Sequence, residues 1–376
     1  MLTRLYIDNY RSLTNFDLKL ERQQLFLGRN GAGKSSVFEA LDSTVRLLRG
    51  EASVSQAFRT LGLTRWETRS TQTIEIDLRG QRTSYRYHLE VEHDRDRLQS
   101  RIEREWLRED NRSLFSSERG EAQLYRDDGS LGPKVLVDWS RSSLPSIQPR
   151  PENRKLTAVR AYLARTVLLT PNPSTMGSFS RREESRPACD LSNFVSWYRH
   201  LVLAQPTEMA AFSRDVCEWM PGLRALRFMT AGESSGLVTD WRLNGGADGT
   251  RDPADDLVLT FDELSDGQRV LIALGAAIYA LGAEPSTLLL DEPDNYLALP
   301  EIQPLLRLLR EKSDLQSLIA SHHPEVINDL AIEHGVVFDR PAGTATRWRP
   351  FEAPEGTLLT PAEVISRGEE DAAPGP

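Results

Sequence analysis

Eight consecutive residues, Gly28-Arg29-Asn30-Gly31-Ala32-Gly33-Lys34-Ser35, fit the pattern G-x-x-x-x-G-K-S/T at every fixed position, and Ser36 follows. Glycines so spaced let backbone N–H groups curl around phosphate oxygens, and a helix N-terminus behind them adds positive partial charge. Lys34 would reach the β- and γ-phosphates of a nucleoside triphosphate, and the Ser35 hydroxyl would sit on Mg²⁺. A second set of groups lies far along the chain. Asp291 follows the apolar run Thr287-Leu288-Leu289-Leu290, and Glu292 follows Asp291. An aspartate at the carboxyl end of a buried strand is placed to hold Mg²⁺ through its hydration shell. A second carboxylate beside it can polarise an attacking water, a role worth about 10²–10⁴-fold in rate. ATP and Mg²⁺ are therefore the expected cofactors.

Such groups need elements to hold them. Gln24 to Leu27 is a short apolar strand leading into the glycine loop. The residues from Ser36 open a helix with Phe38, Leu41, Val45 and Leu48 at helical spacing. Thr287 to Leu290 and Leu315 to Ala320 have the composition of buried strands. Ser265 and Gly267 precede a long apolar helix, Val270 to Leu281, with Ser265 as its N-cap and Gly267 leaving amides uncovered, a second anion site. Between residues 70 and 126, alternating runs at 74–78, 85–91, around Ile102, Trp106 and Leu107, and at Leu124-Tyr125 predict an antiparallel β meander. Residues 131–155 and 174–187 read as loops. Residues 156–169 read as a helix followed by the strand Thr166 to Leu169, and 190–220 as helical. The expected class is α/β, with a mainly parallel core sheet, an antiparallel β meander and a helical insert lobe.

The segment Glu263-Leu264-Ser265-Asp266-Gly267-Gln268-Arg269, shortly before Asp291-Glu292-Pro293, resembles the signature of the ABC-type P-loop ATPases. The resemblance extends to Asp294-Asn295-Tyr296-Leu297, which looks like the D-loop, and to Ser321-His322-His323-Pro324 after the last buried strand. It implies that His322 is the switch histidine contacting the γ-phosphate, with His323 in the place of a serine. It implies also a homodimer that closes head to tail on ATP, each protomer's Ser265 completing the other's P-loop site. The opening Asn9-Tyr10-Arg11-Ser12 is similar to the RecF, SMC and OLD-like members among the AAA-family ATPases, in which an arginine here approaches the nucleotide; Arg11 is a candidate on that ground, and equally a surface ion-pair arginine. No heptads of an SMC-type coiled coil run between residues 50 and 260, and the stretch after His322 leaves no room for the Toprim nuclease of OLD proteins. The implied domains are an ATPase core at 1–50 and 256–350, an inserted β-meander and helical lobe at 51–255, and a C-terminal tail at 351–376, acidic and disordered from Arg367. The family's Q-loop glutamine has no clear match; Gln72 and Gln148 are the candidates.

Composition sets bounds on function. No apolar run is long enough to span a membrane and no signal-peptide pattern opens the chain. With two cysteines, Cys189 and Cys217, the chain suits a reducing cytoplasm, where nucleotide is also available. The net charge of −9 is unevenly spread: residues 1–200 hold 33 Lys and Arg against 26 Asp and Glu, and the remainder 13 against 29. Arg-rich stretches at 95–112 and 181–186 suit a phosphate backbone, but the interleaved acids equally suit a solvated face. The combined expectation is an ATP-hydrolysing switch in DNA repair or maintenance, or in anti-phage defence. Its clients would be double-stranded DNA or an effector such as a partner nuclease. Two other readings stay open: the nucleotide-binding subunit of a membrane transporter, and a slow ATP sensor or scaffold. Against the transporter, Ser265 follows Ser35 by roughly 230 residues, much further than such subunits place their signature. Against the sensor stands Glu292.

Overall fold

The computed structural model describes residues 1–80, 83–242, 256–354 and 356–368. The chain opens with β1 (Leu2–Asp8), β2 (Phe16–Lys19), β3 (Gln23–Leu27), α1 (Lys34–Leu48) and α2 (Val54–Ala57). Six strands follow: β4 (Thr71–Arg79), β5 (Ser84–Asp94), β6 (Gln99–Glu109), β7 (Arg112–Glu118), β8 (Glu121–Tyr125) and β9 (Leu131–Leu136). Next come α3 (Arg154–Leu163), β10 (Thr166–Leu169), β11 (Phe179–Ser180), α4 (Phe194–Ala204) and α5 (Pro206–Trp219). A hairpin and its partner, β12 (Leu223–Ala231), β13 (Ser234–Arg242) and β14 (Asp256–Thr260), lead to α6 (Asp266–Leu281) and β15 (Ser286–Asp291). The chain closes with α7 (Leu299–Glu311), β16 (Leu315–Ala320), α8 (Pro324–His334), β17 (Gly335–Asp339), β18 (Arg347–Pro350) and α9 (Pro361–Arg367).

Two large sheets organise these elements. The core sheet runs β10-β15-β16-β3-β17-β18, parallel except for β18. Its central strands are covered on both faces: β3 and β16 are buried at every residue. Alternation divides their side chains between two cores. Leu25, Leu27, Leu288 and Leu290 join α4, α5, α6 and α7 on one side. Phe26, Leu289 and Leu318 meet Val37, Phe38, Leu41 and Val45 of α1 on the other. The antiparallel sheet, β2-β1-β4-β5-β6-β7-β8-β9, covers the far side of α1 with Ile7, Ile74, Ile76 and Tyr87. The P-loop helix is thus held between two sheets.

The strands cross the domain boundaries expected from the sequence. β1 and β2, placed in the 1–50 core, belong to the antiparallel sheet, whereas β10, placed in the insert, pairs with β15 in the core sheet. Alternation reveals a strand but not its sheet, which long-range pairing decides. The segment 131–155, read as a loop, holds β9, an almost wholly exposed edge strand whose Gly132 and Pro133 hide its pattern. The 174–187 segment contributes β11, paired with β13. The tail expected from 351 contains α9, capped by Thr360 with Glu363 and anchored by the fully buried Val364. The disorder expected from Arg367 falls largely on 369–376, outside the described residues.

Candidate functional site

Three neighbouring parallel strands end on one edge. Register pairs Asp291 of β15 with Ala320 of β16, and Ala320 with Phe26 of β3. Asp291, the Ser321-His322 turn and the start of the P-loop therefore meet where open α/β sheets bind ligands. The P-loop path depends on two close approaches. Gly28 has φ 127° and no room for a Cβ beneath the Phe338 carbonyl; Gly33 has φ 110° and lies against the Thr346 hydroxyl. Side chains would be strained at both angles and obstructed in both places.

The Lys34 ammonium, almost fully buried, donates to the Gly28 carbonyl at 2.5 Å and sits 3.1 Å from His322 Nε2. Burial lowers the Lys34 pKa, opposed by the nearby Glu292 and Asp291 carboxylates. His322 is likewise lowered, chiefly by burial and then by Lys34, which favours the neutral imidazole; the Lys34 ammonium can only donate, so Nε2 is the nitrogen placed to accept. The other imidazole is engaged elsewhere. His323 Nδ1 accepts from the Glu325 amide at 3.2 Å and caps α8. Asp291 hydrogen-bonds the Ser35 hydroxyl, yet burial still raises its pKa.

Glu292 adopts φ 49°, a left-handed conformation that non-glycine residues rarely take and that clusters at functional sites. Its amide donates to Ala320 at 2.8 Å, and the Asn295 amide holds its carboxylate at 2.9 Å. The neighbouring Asp294 is buried and hydrogen-bonded to Ser321; burial pushes its pKa up. The serine–aspartate pair offers hard oxygen donors suited to Mg²⁺. Among the described residues no group of three His, Cys, Asp or Glu forms a metal cage.

A cleft of about 730 Å³ opens over the P-loop, lined by Asn30, Gly31, Ala32, Gly33, Lys34, Ser35, Ser36, Glu292, Arg11 and Ser12. Arg11 is also paired with Glu39, at 3.0 Å from Nη1 to Oε1, so both readings of this arginine describe part of its position. Arg29 contributes its carbonyl near the Lys34 ammonium, at 3.4 Å. Ser265 and Gly267 do not line the cleft. Ser265 caps α6 by accepting from the Gln268 amide at 3.2 Å, and Gly267 lies tight against the Tyr296 carbonyl and Glu301. Neither candidate Q-loop glutamine lines the cleft either; Gln72 is buried, donating to the Asn9 carbonyl at 2.8 Å.

Leu61, Leu63, Arg65, Trp66 and Arg340 also line the cleft without having been singled out in the sequence. They come from a single 3₁₀ turn at Thr60–Gly62 and from loop segments, which are too short for any periodicity to mark them. Thr346, whose hydroxyl donates to the Ala32 carbonyl at 2.8 Å, was equally silent.

Comparisons with known proteins agree with this architecture. Two family models match: one described as "AAA domain" over residues 4–167, the other as "AAA domain, putative AbiEii toxin, Type IV TA system" over 219–328. A curated relative, an uncharacterised ABC transporter ATP-binding protein of Haemophilus influenzae, is 46% identical over 70 residues, 19% of this chain. The match spans only 30% of that relative's length. Among solved structures, an SMC head bound to the C-terminal winged-helix domain of ScpA superposes with a TM-score of 0.57 at 15% identity, covering 93% of this chain and 98% of that one. The SMC head domain from Thermotoga maritima gives 0.47 at 15% identity, covering 94% and 99%. Among the described residues no helix is long and apolar enough to cross a membrane. The two AAA-domain matches support an ABC-type P-loop ATPase, and the likeness to an SMC head shows a shared fold.

Proposed function

We propose that the chain binds and hydrolyses ATP with Mg²⁺, closes as a head-to-tail dimer while ATP is bound, and uses that closure to control DNA or a partner effector. The observation that carries this reading is the meeting of Lys34, Asp291, Glu292 and His322 at one sheet edge, with Ser265 outside the cleft that Lys34 and Glu292 line. The P-loop amides and Lys34 would hold the phosphates. Ser35 and Asp291 would hold Mg²⁺, which neutralises charge on the phosphates. Glu292, steadied by Asn295, would orient the attacking water and take its proton. His322 would contact the γ-phosphate as a neutral imidazole. Transfer of this kind needs mainly positioning and charge stabilisation. Core and inserted lobes would then act as one switching unit, in the cytoplasm, in DNA repair and maintenance or in anti-phage defence.

The choice between clients has some support from charge. Several arginines that could meet a DNA backbone already have partners: Arg101 with Glu92, Arg104 with Glu90 and Glu118, and Arg186 with Glu51. That favours an effector protein, and the SMC head solved with a winged-helix domain of ScpA shows such a head carrying one. The transporter reading is favoured only by the short match to the Haemophilus protein. The decisive measurement is ATP turnover by the purified chain with and without double-stranded DNA. Turnover stimulated by DNA makes DNA the client. Turnover indifferent to DNA moves the search to co-purifying proteins, and no turnover at all overturns the hydrolytic reading.

A further inference from the structure

The P-loop accounts for only one end of its cleft. The other end is walled by the segment between α2 and β4 and by the turn between β17 and β18, which contribute Leu61, Leu63, Trp66 and Arg340. Two of these are large apolar side chains turned outward: Leu61 is 83% exposed and Trp66 46%. Exposed hydrophobes scattered singly are ordinary; a pair beside a phosphate site is a binding surface wanting its ligand. The Arg340 guanidinium lies 5.6 Å from the Trp66 ring centroid, tethered by the Thr344 and Gly343 carbonyls at 2.9 and 3.1 Å.

This wall is fixed relative to the P-loop. Asn9 accepts from the Thr64 amide at 3.2 Å and donates to the Arg69 and Thr71 carbonyls at 2.9 and 2.8 Å. The Arg11 amide donates to the Gly62 carbonyl at 2.7 Å. The next residue, Ser12, meets the Thr346 hydroxyl at 2.8 Å, and that hydroxyl holds Ala32 within the P-loop. One hydrogen-bonded chain thus runs from the Trp66 segment through residues 11 and 12 to the phosphate loop. Arg340 stands on the same turn that supplies Thr346. A surface held this firmly loses little entropy on meeting a ligand.

We propose that Trp66, with Leu61 and Arg340, is the stacking wall for the nucleobase of the triphosphate bound at the P-loop. The proposal rests on the nucleotide reading above and adds where the base lies. A purine packs flat on the indole, and Leu61 covers its edge. Stacking reads the π-face that every base shares, so this wall selects for a base rather than for one particular base.

The test is calorimetric titration of the full chain with ATP, GTP and inorganic tripolyphosphate, which carries the charge but no base. Trp66→Ala should weaken ATP and GTP alike by about tenfold, within the range that loss of one aromatic–base stack produces, and leave tripolyphosphate unchanged. Trp66→Phe should restore most of the affinity. Leu61→Ser removes a side chain that packs against little, so it folds whatever becomes of Trp66→Ala, and should show the same base-dependent loss at about threefold. Equal weakening of ATP and tripolyphosphate, or ATP affinity unchanged in both variants, overturns the wall. Lys34→Ala separates the two readings: it should abolish binding of all three ligands, and retained binding would overturn the P-loop assignment instead.

Discussion

Two adjacent imidazoles, His322 and His323, stand after β16, and the sequence left both in play because a shift of one residue exchanges their places. The geometry gives them different roles. His322 faces Lys34 at 3.1 Å, whereas the His323 ring is spent on the Glu325 amide. Their substitutions should therefore diverge. His322→Ala should lower ATP turnover by about 10²-fold, at the lower end of what a positioned acid–base group contributes, with the melting temperature little changed. His323→Ala removes a helix cap and should cost about 1 kcal/mol of stability with turnover near wild type. Steady-state ATPase assays beside thermal melts read both; the reverse pattern would reassign the switch to His323. The P-loop and the Asp291-Glu292 pair were legible because backbone cradles and paired carboxylates demand particular residue types at fixed spacing. Glu292's left-handed backbone was not, since nothing in a Leu-Asp-Glu-Pro run announces a positive φ. Trp66 and Arg340 were silent for a related reason: an irregular segment has no period from which a buried or binding face can be read.

At the scale of elements, long periodic segments were legible and short or edge segments were not. The β15 and β16 strands carry the apolar runs Leu288-Leu289-Leu290 and Leu318-Ile319-Ala320, which a doubly covered sheet accommodates. β12 and β13 carry mixed patterns from which no strand could be read, although they form the hairpin leading to β14 and α6. The meander also contains a titratable group deep in its packing. His93 on β5 is 3% exposed, between Gln72 Oε1 at 2.8 Å and Ser100 Oγ at 2.9 Å. Burial, aided by Arg95, lowers its pKa to about 4. The folded state therefore takes up this proton later than the unfolded chain does, with its ordinary value near 6.5. The resulting stability is complete above pH 6.5 and is lost as pH falls toward 4. By pH 5 the loss reaches about 2 kcal/mol. Glu105 works in the opposite sense. Burial raises it to about 7, so its contribution is complete below pH 4.5 and lost as pH rises through 7. Comparing urea midpoints of the wild type and His93→Gln at pH 7.5 and 5 cancels Glu105. The wild type's advantage should shrink by about 2 kcal/mol at the lower pH; a constant difference would mean that His93 titrates normally.

At the scale of the whole molecule, the separation of Ser265 from the cleft carries the argument. Ser265 is exposed at the head of α6, where its hydroxyl accepts one amide and remains open to solvent. Beside it Gly267 packs against the Tyr296 carbonyl, and Tyr296 itself is 41% exposed, with Leu299 beyond it at 54%. A capped helix N-terminus bordered by exposed apolar side chains can accept an anion, and its own P-loop does not supply one. A second protomer related by a twofold axis could, because the same two patches then meet twice. Glu292→Gln should permit ATP binding while slowing hydrolysis by about 10²–10⁴-fold, so closure persists long enough to be weighed. Its mass in solution should double on addition of ATP. Placing an arginine at the meeting point, as Glu292→Gln with Ser265→Arg, should leave ATP affinity per chain within about twofold and abolish the doubling, since the bulk and charge strike the partner rather than the chain's own cleft. Light scattering and nucleotide titration on the same samples distinguish the outcomes. A double variant that still dimerises on ATP would place the interface elsewhere and end the head-to-tail reading. A double variant that loses ATP affinity as well would show that Ser265 acts on its own protomer's site.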